Sequence, residues 1–248
     1  MLILENLGMR NADGAEVLRN IELAIEPGEV VAVVGGPELG RRALLRLIAG
    51  LEQPSTGRVL LDGKPLAGPG ADVGMVFSQP RLLSWLRVAD NVGLCLEPMH
   101  FADRAARVEA ELRRVGLAGH GGRWPAELPD GKAHRVALAR ALAVRPRVLL
   151  LEDPFAELDA DERMELQDGI TQLWEGDRPA MILATRDVEE AALLADRVVV
   201  LRSRPGRIDR VIEMSRPRAR DSHRLAVAKR RLARVVDRLP VVPVRAVA

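Results

Sequence analysis

The residues with the plainest chemical meaning lie between an apolar run at 30–34 and a helix-compatible segment at 43–49. They follow the pattern GxxxxGK[ST], in which backbone N–H groups and the start of a helix bind phosphate. The loop and the residue after it are Gly35, Gly36, Pro37, Glu38, Leu39, Gly40, Arg41, Arg42 and Ala43. Arg41 replaces the Lys that reaches the phosphates, and Arg42 replaces the Ser or Thr hydroxyl that holds Mg²⁺. The sequence therefore predicts a phosphate-binding loop with its scaffold kept and its chemistry changed.

The elements around this loop alternate between strand and helix patterns. Apolar runs at Val148–Leu151, Ala180–Ala184 and Val198–Leu201 predict buried strands, and Lys132–Val144 predicts a strong helix. Such alternation indicates an α/β fold with a largely parallel sheet covered on both faces. Residues 1–29 alternate apolar and polar positions around a turn at 11–14, so we expect antiparallel strands there, and a helical insert in the middle of the chain.

Composition narrows the class of protein. The 248 residues are 48% hydrophobic and carry a net charge of +2, so nothing in the overall charge calls for nucleic acid. One cysteine cannot form an internal disulfide, and Cys95 lies in an apolar stretch, where we expect a buried side chain. We find neither a leader-like start nor an apolar run long enough to cross a bilayer, which predicts a cytoplasmic protein.

Four long segments, in order and correctly spaced, identify a family. They read LLRLIAGLEQPSTGRVLLDGKPL, GMVFSQPRLLSWLRVADNV, HRVALARALAVRPRVLLLEDPF and EEAALLADRVVVLRSRPGRI. Over residues 1–205 the chain resembles the ATP-binding subunit of ABC transporters, in particular importers of nitrate, taurine and aliphatic sulfonates. The resemblance implies a P-loop NTPase fold with a RecA-like core, an N-terminal antiparallel β portion and a helical subdomain at about 85–140. Residues 206–248 would form a basic, partly helical extension.

The same resemblance implies partners and cofactors. In the family, two subunits face each other head to tail and trap ATP and Mg²⁺ between the phosphate loop of one and the signature segment of the other. Closure drives a membrane permease, whose coupling helix sits in a groove that corresponds to 82–86, including Trp85. The expected partners are therefore a permease and a second ATP-binding subunit, with the chain peripheral to the inner membrane when docked. Core packing of Trp85 is the alternative.

The catalytic positions of the family are altered here. The Walker B pair is inverted, so that Glu152 takes the place of the metal-binding Asp and Asp153 that of the Glu that polarises water. Arg186 takes the place of the switch histidine. The family positions for Mg²⁺ correspond to Arg42, Ser78 and Glu152.

The remaining nucleotide positions are also mostly changed. Ser78 replaces the glutamine after a strand, and Gln79 comes one place late. The signature LSGGQ is matched by Leu-Pro-Asp-Gly-Lys at 128–132, which keeps Gly131 but loses the Ser. Asp159 of the D-loop is retained. In the loop itself, Glu38 would place a carboxylate near phosphate oxygens.

Almost every side chain that would contact nucleotide has changed, whereas the apolar framework between them has not. We interpret the pattern as selective loss of ATP chemistry, which predicts a subunit that docks on partners and is impaired in hydrolysis. Two alternatives stay open: a working ATPase that energises solute import, and a soluble regulatory pseudoenzyme unrelated to transport. We expect Arg140 and Arg145 to be solvated or paired with acidic neighbours. The basic tail at 216–238 predicts a solvated helix face, with acidic lipid headgroups or an acidic partner as the alternative.

Overall fold

A computed structural model describes residues 1–35, 38–96, 99–128, 130–202, 205–214 and 223–236. The chain forms two compact units, the first made of Met1–Pro69 with Ile182–Ala248 and the second of Gly70–Met181. The strands are β1 Leu2–Arg10, β2 Glu16–Ile25, β3 Val30–Gly35, β4 Thr56–Leu61, β5 Lys64–Pro65, β6 Val73–Val76, β7 Val148–Glu152, β8 Ala180–Ala184, β9 Arg197–Arg202 and β10 Arg207–Glu213. The helices are α1 Glu38–Ile48, α2 Val88–Gly93, α3 Phe101–Arg114, α4 Asp130–Ala143, α5 Ala160–Asp177, α6 Val188–Leu194 and α7 His223–Val236.

The first unit contains an antiparallel sheet in the order β2-β1-β4-β5. Leu2 pairs with Ile25 on one side and with Leu61 on the other, and all three side chains are buried. Alternate residues of these strands face the interior, which is why the period-two pattern at the N-terminus predicted them. The predicted antiparallel portion is confirmed.

The strand that leads into the phosphate loop lies at the centre of the first unit. β3 pairs in parallel with β9, and β9 pairs antiparallel with β10. Residues 30–34 of β3 are all buried, as expected of a strand covered on both faces. The backbone N–H of Thr185, which follows β8, donates to the carbonyl of Val33 at 3.2 Å. The loop is therefore held on a rigid strand.

The second unit packs helices against a parallel strand pair. β6 and β7 run parallel, with Val73 opposite Val148. Gly74 allows α4 to approach closely, since a Cβ there would lie 2.8 Å from the carbonyl oxygen of Ala141. The amphipathic helix α3 buries Val108 and Leu112. The helix predicted at 132–144 corresponds to α4, which begins two residues earlier.

The expectation for Cys95 is wrong, because its side chain is exposed. It lies in a 3₁₀ turn, Leu94–Leu96, that follows α2. In this turn Leu96 is the buried residue, so Leu94 and Cys95 face outward. An apolar run alone did not show which members of a short turn would point inward. Within the described ranges, no helix is both long and apolar enough to span a membrane.

Candidate functional site

The phosphate loop joins β3 to α1. Gly35, the last residue of β3, has φ 72°, a left-handed conformation that glycine adopts without steric cost. Helix α1 begins at Glu38, and residues 36–37 lie outside the described ranges, as do the side chains of 38–39. The helix was predicted over 43–49, after a loop at 35–40, but α1 begins five residues earlier, so Gly40 and Arg41 belong to the first turns of the helix.

Arg41 is turned toward the backbone of its own loop. Its side chain is buried, with 3% of the residue exposed, and Nη1 donates a hydrogen bond to the carbonyl oxygen of Gly35 at 2.8 Å. A guanidinium is charged at any physiological pH and presents several donors in a rigid plane. Arg41, in the position of the phosphate-binding Lys, therefore forms a hydrogen bond with the backbone at the start of the loop.

The loop residues do not fit Mg²⁺ held in the usual way. Magnesium takes oxygen ligands, and a guanidinium has donors only. Arg42 is exposed and offers no oxygen in place of the missing hydroxyl. Among the described residues, no group of three or more His, Cys, Asp or Glu side chains is arranged to hold a metal ion. Backbone N–H groups at the start of α1 remain suited to an anion, but the side chain that would recruit the metal is absent.

The inverted carboxylate pair lies at the end of β7. Glu152 is the last residue of the strand and is buried. Asp153 is half-buried and has φ 38°, in the left-handed region that Asp tolerates better than most side chains. Its carbonyl accepts from the N–H of Ala156 at 3.2 Å, which closes a turn. The chain therefore changes direction at Asp153 itself.

Ser78 is half-buried two residues after β6. Its carbonyl oxygen accepts a hydrogen bond from Nε2 of the buried His134 at 2.9 Å. The neighbouring Gln79 donates from Nε2 to Oε1 of Glu157, 3.5 Å away. The structure thus assigns His134 a positioning contact on the segment that carries Ser78, which the sequence did not suggest.

Gly131 in the signature segment has an acidic neighbour in the same unit. Its N–H donates to Oε1 of Glu162 at 3.2 Å. A Cβ at residue 131 would lie only 2.8 Å from that carboxyl group, so a larger residue would displace the Glu162 side chain. Pro129 and the side chain of Asp130 lie outside the described residues. Sequence reasoning missed Glu162, because it lies 31 residues away on α5.

Asp159 and Arg186 lie next to helix starts. Asp159 caps α5, where Oδ1 accepts from the N–H of Glu162 at 2.8 Å. Asp187 caps α6 and its own N–H donates to Oγ1 of Thr185 at 3.0 Å. Arg186, which lies between Thr185 and Asp187 in the sequence, is exposed. The retained Asp159 of the D-loop therefore stabilises the start of α5 as its N-cap.

A firmly held segment at 80–87 follows Ser78. Asn91 is fully buried: Oδ1 accepts from the N–H of Leu83 at 2.8 Å, and Nδ2 donates to three carbonyls at 3.1 Å each, those of Leu83, Leu86 and Arg87. This segment presents Trp85, which is 70% exposed. The core-packing alternative for Trp85 does not agree with that exposure.

The expectation for Arg140 is wrong. Its guanidinium donates to the carbonyls of Pro80 and Arg81 at 2.8 and 2.9 Å, so the half-buried side chain binds the backbone of an earlier segment. Burial lowers the pKa of Arg140, although an arginine stays charged at neutral pH. Arg81 itself has φ 47° and lies over the ring of Phe77. The carbonyls that Arg140 binds lie about sixty residues earlier in the chain, so its own neighbours could not indicate them.

Comparison with known proteins decides the family. The model of the ABC transporter family matches residues 18–156, more than half of the chain. The chain belongs to the ABC transporter family. Curated relatives include the aliphatic sulfonates import ATP-binding protein SsuB of Pseudomonas putida, 44% identical over 90% of this chain and 82% of the relative. SsuB 2 of Pseudomonas fluorescens is 43% identical over 92% and 84%. The predicted resemblance to an ABC importer ATP-binding subunit is confirmed.

Solved structures agree with the ABC-type fold. The cbiO1 protein from Clostridium perfringens, part of the ABC transporter complex cbiONQ, superposes with a TM-score of 0.77 at 29% identity, covering 86% of this chain and 88% of that one. A dimeric post-hydrolysis state of the ATP-binding cassette MJ0796, bound to ADP and Pi, gives 0.75 at 26% identity, covering 88% and 100%. The α/β P-loop fold predicted from the sequence is thereby confirmed.

Proposed function

We propose that this chain is the ATP-binding-cassette subunit of an importer for sulfonate-type solutes, and that it is impaired in ATP hydrolysis. In this proposal it lies at the membrane surface, docked on a permease and paired with a second ATP-binding subunit. Residues 1–205 form the cassette, and 206–248 form its extension. Relatives with 44% and 43% identity over most of the chain, both named as sulfonate import subunits, support the solute class.

The hydrogen bond between Arg41 and Gly35 carries the hydrolysis part of the proposal. In this proposal the buried guanidinium is held against the carbonyl of Gly35, and moving it toward the phosphates of ATP would break that hydrogen bond at a cost in free energy. Arg42 supplies no Mg²⁺ ligand, and Asp153 carries a shorter side chain than the Glu of the family. Loss of a single group that stabilises a transition state typically lowers turnover by roughly 10² to 10³.

The signature segment supports the same reading. The N–H of Gly131 is occupied by the carboxylate of Glu162, where the family offers this segment to the γ-phosphate of the opposing subunit's ATP. A negative charge beside that N–H repels an incoming phosphate. The phosphate loop and the signature segment are both altered. Each ATP site of a dimer uses one of these two segments from this chain, so an active partner subunit would complete neither site.

The exposed Trp85 supports docking on a permease. A tryptophan with most of its surface in water, on a segment held by Asn91 and Arg140, has a fixed position and a large apolar area to offer a partner. Aromatic residues of this kind often supply much of the binding free energy at interfaces. In this proposal the segment at 80–87 binds the permease, and that binding does not depend on ATP hydrolysis.

Two measurements test the proposal. Steady-state hydrolysis of Mg·ATP by the purified chain, alone and with its permease, should stay at the level of an Asp153→Asn control. Magnesium-dependent turnover that Asp153→Asn abolishes would overturn the hydrolysis part.

Docking is tested separately by co-purification with candidate permease subunits expressed together with the chain. We expect Trp85→Ala to reduce recovery of the permease at least tenfold, and Phe101→Ala, at another exposed aromatic, to leave recovery unchanged. Absence of any permease in the wild-type preparation would overturn the transport part and favour a pseudoenzyme unrelated to transport.

A further inference from the structure

A concave groove of about 610 Å³ lies in the first unit between β10 and α7. Its volume falls within the range of sites that hold small molecules. The described residues that line it are Arg210, His223, Val227, Arg230, Arg231, Arg234 and Val235. Four of the seven are arginines, so the groove is strongly basic, and it belongs to none of the nucleotide positions described above.

Helix α7 divides cleanly into a packed face and a groove face. Leu225 and Leu232 are buried, and Lys229 donates from Nζ to Oε2 of Glu189 on α6 at 2.8 Å. The groove residues of α7 lie at 223, 227, 230–231 and 234–235, so successive groups are three or four residues apart, the spacing of a single helix face. Because the packed face fixes the helix, the arginines on the other face are carried on a stable support.

Among the described residues, the arginines of the groove have few acidic partners. Helix α7 contains no Asp or Glu. Within the part of the chain that the structure describes, no carboxylate forms an ion pair with Arg231 or Arg234. Arg210 pairs with Asp209, which it shares with Arg202. Like charges three and four residues apart on a helix repel each other, so an anion in the groove would relieve that repulsion.

We propose that this groove binds a small phosphorylated molecule with two or more negative charges. Guanidinium groups match the oxygens of a phosphate in pairs, which gives both charge and geometry. Val227 and Val235 form part of the wall and offer apolar contact beside the arginines. A concave site of this volume suits a discrete molecule in solution better than the flat array of headgroups on a membrane.

The test titrates the full-length chain with pyrophosphate in a calorimeter at low salt. The groove variant replaces Arg231→Gln and Arg234→Gln, and the matched control replaces Arg113→Gln and Arg123→Gln, two exposed arginines of the second unit. We expect saturable binding that is at least tenfold weaker in the groove variant and unchanged in the control, with equal thermal unfolding of all three proteins without ligand. Because both variants lose the same charge, a difference between them reports the groove.

Other results would overturn the proposal. Equal affinity in the wild type and the groove variant would place pyrophosphate elsewhere, including at the phosphate loop. Equal weakening in both variants would show only general attraction to a basic protein. Binding to phosphatidylglycerol vesicles that requires Arg231 and Arg234, with no binding of pyrophosphate, would assign the groove to a membrane surface.

Discussion

Nη1 of Arg41 lies 2.8 Å from the carbonyl oxygen of Gly35 and donates a hydrogen bond to it across the base of the phosphate loop. Both residues belong to the sequence pattern that binds a triphosphate. Here the side chain of Arg41 forms a hydrogen bond with the backbone of Gly35 inside that pattern. A ligand must therefore compete with an internal contact that involves a buried charge, and such contacts contribute more than neutral hydrogen bonds. Nucleotide affinity should therefore depend on the Arg41 side chain, which can be exchanged by mutation.

Restoring the usual loop chemistry should restore metal-dependent binding. The double variant Arg41→Lys with Arg42→Ser supplies a smaller cation and a hydroxyl for Mg²⁺, so we expect ATP to bind at least tenfold more tightly with Mg²⁺ than with EDTA. Calorimetric titration measures both affinities. Arg41→Lys alone is the control, since it changes the cation without adding a metal ligand. A double variant with no magnesium effect would show that other parts of the site limit binding.

Asn91 should be among the most sensitive positions of the second unit. Replacement by Ala removes four hydrogen bonds and leaves buried backbone groups unsatisfied, which costs about 2–4 kcal/mol of unfolding free energy. Replacement by Asp keeps the shape but directs an oxygen at three carbonyls, so we expect an even larger loss. Urea denaturation measures both. An Asp variant as stable as the wild type would contradict the assigned amide orientation.

Substitutions of two glycines near the start and end of β4 should distinguish the cost of backbone strain from the cost of steric overlap. Gly57 and Gly63 have nearly equal φ, 73° and 76°, but a Cβ at Gly57 would overlap the carbonyl oxygens of Glu5 and Asn6, whereas a Cβ at Gly63 meets nothing within 4 Å. We expect Gly63→Ala to cost about 1 kcal/mol and Gly57→Ala clearly more. Thermal unfolding of the pair measures the difference. Equal losses would mean that β1 and β4 separate easily.

Elements with strong local periodicity could be predicted from the sequence. The strand at Ala180–Ala184 was predicted with its observed bounds, because five consecutive apolar residues between Pro179 and Thr185 are typical of a short buried strand in an α/β chain. The contacts that position the candidate site could not be predicted in the same way. Arg140 binds the carbonyls of Pro80 and Arg81, and Glu162 binds the N–H of Gly131, so each contact depends on tertiary structure.

The free energy of unfolding at acid pH should depend on Asp209. Its Oδ1 lies 2.5 Å from Nη2 of Arg202, and its Oδ2 lies 3.2 Å from Nε of Arg210. Hydrogen bonding from Arg202, with a further contribution from Arg210, lowers the pKa of Asp209. A carboxyl with a lowered pKa stabilises the folded state fully above its unfolded value, about 3.9, and loses that contribution as the pH falls through the folded value.

The substitution Asp209→Asn should therefore cost about 0.5–1 kcal/mol at pH 7, a size typical of partly exposed ion pairs. The difference from the wild type should shrink toward zero as the pH falls below the unfolded value and then through the lowered pKa of the folded state, because the wild-type carboxylate is then protonated as well. Guanidinium denaturation cannot be used here since the salt screens the pair, so urea is the appropriate denaturant. Glu22→Gln, at an exposed carboxylate of β2, is the control and should show no such pH dependence. A deficit of Asp209→Asn that persists unchanged at low pH would mean that the carboxylate acts through its shape and hydrogen bonds rather than through its charge.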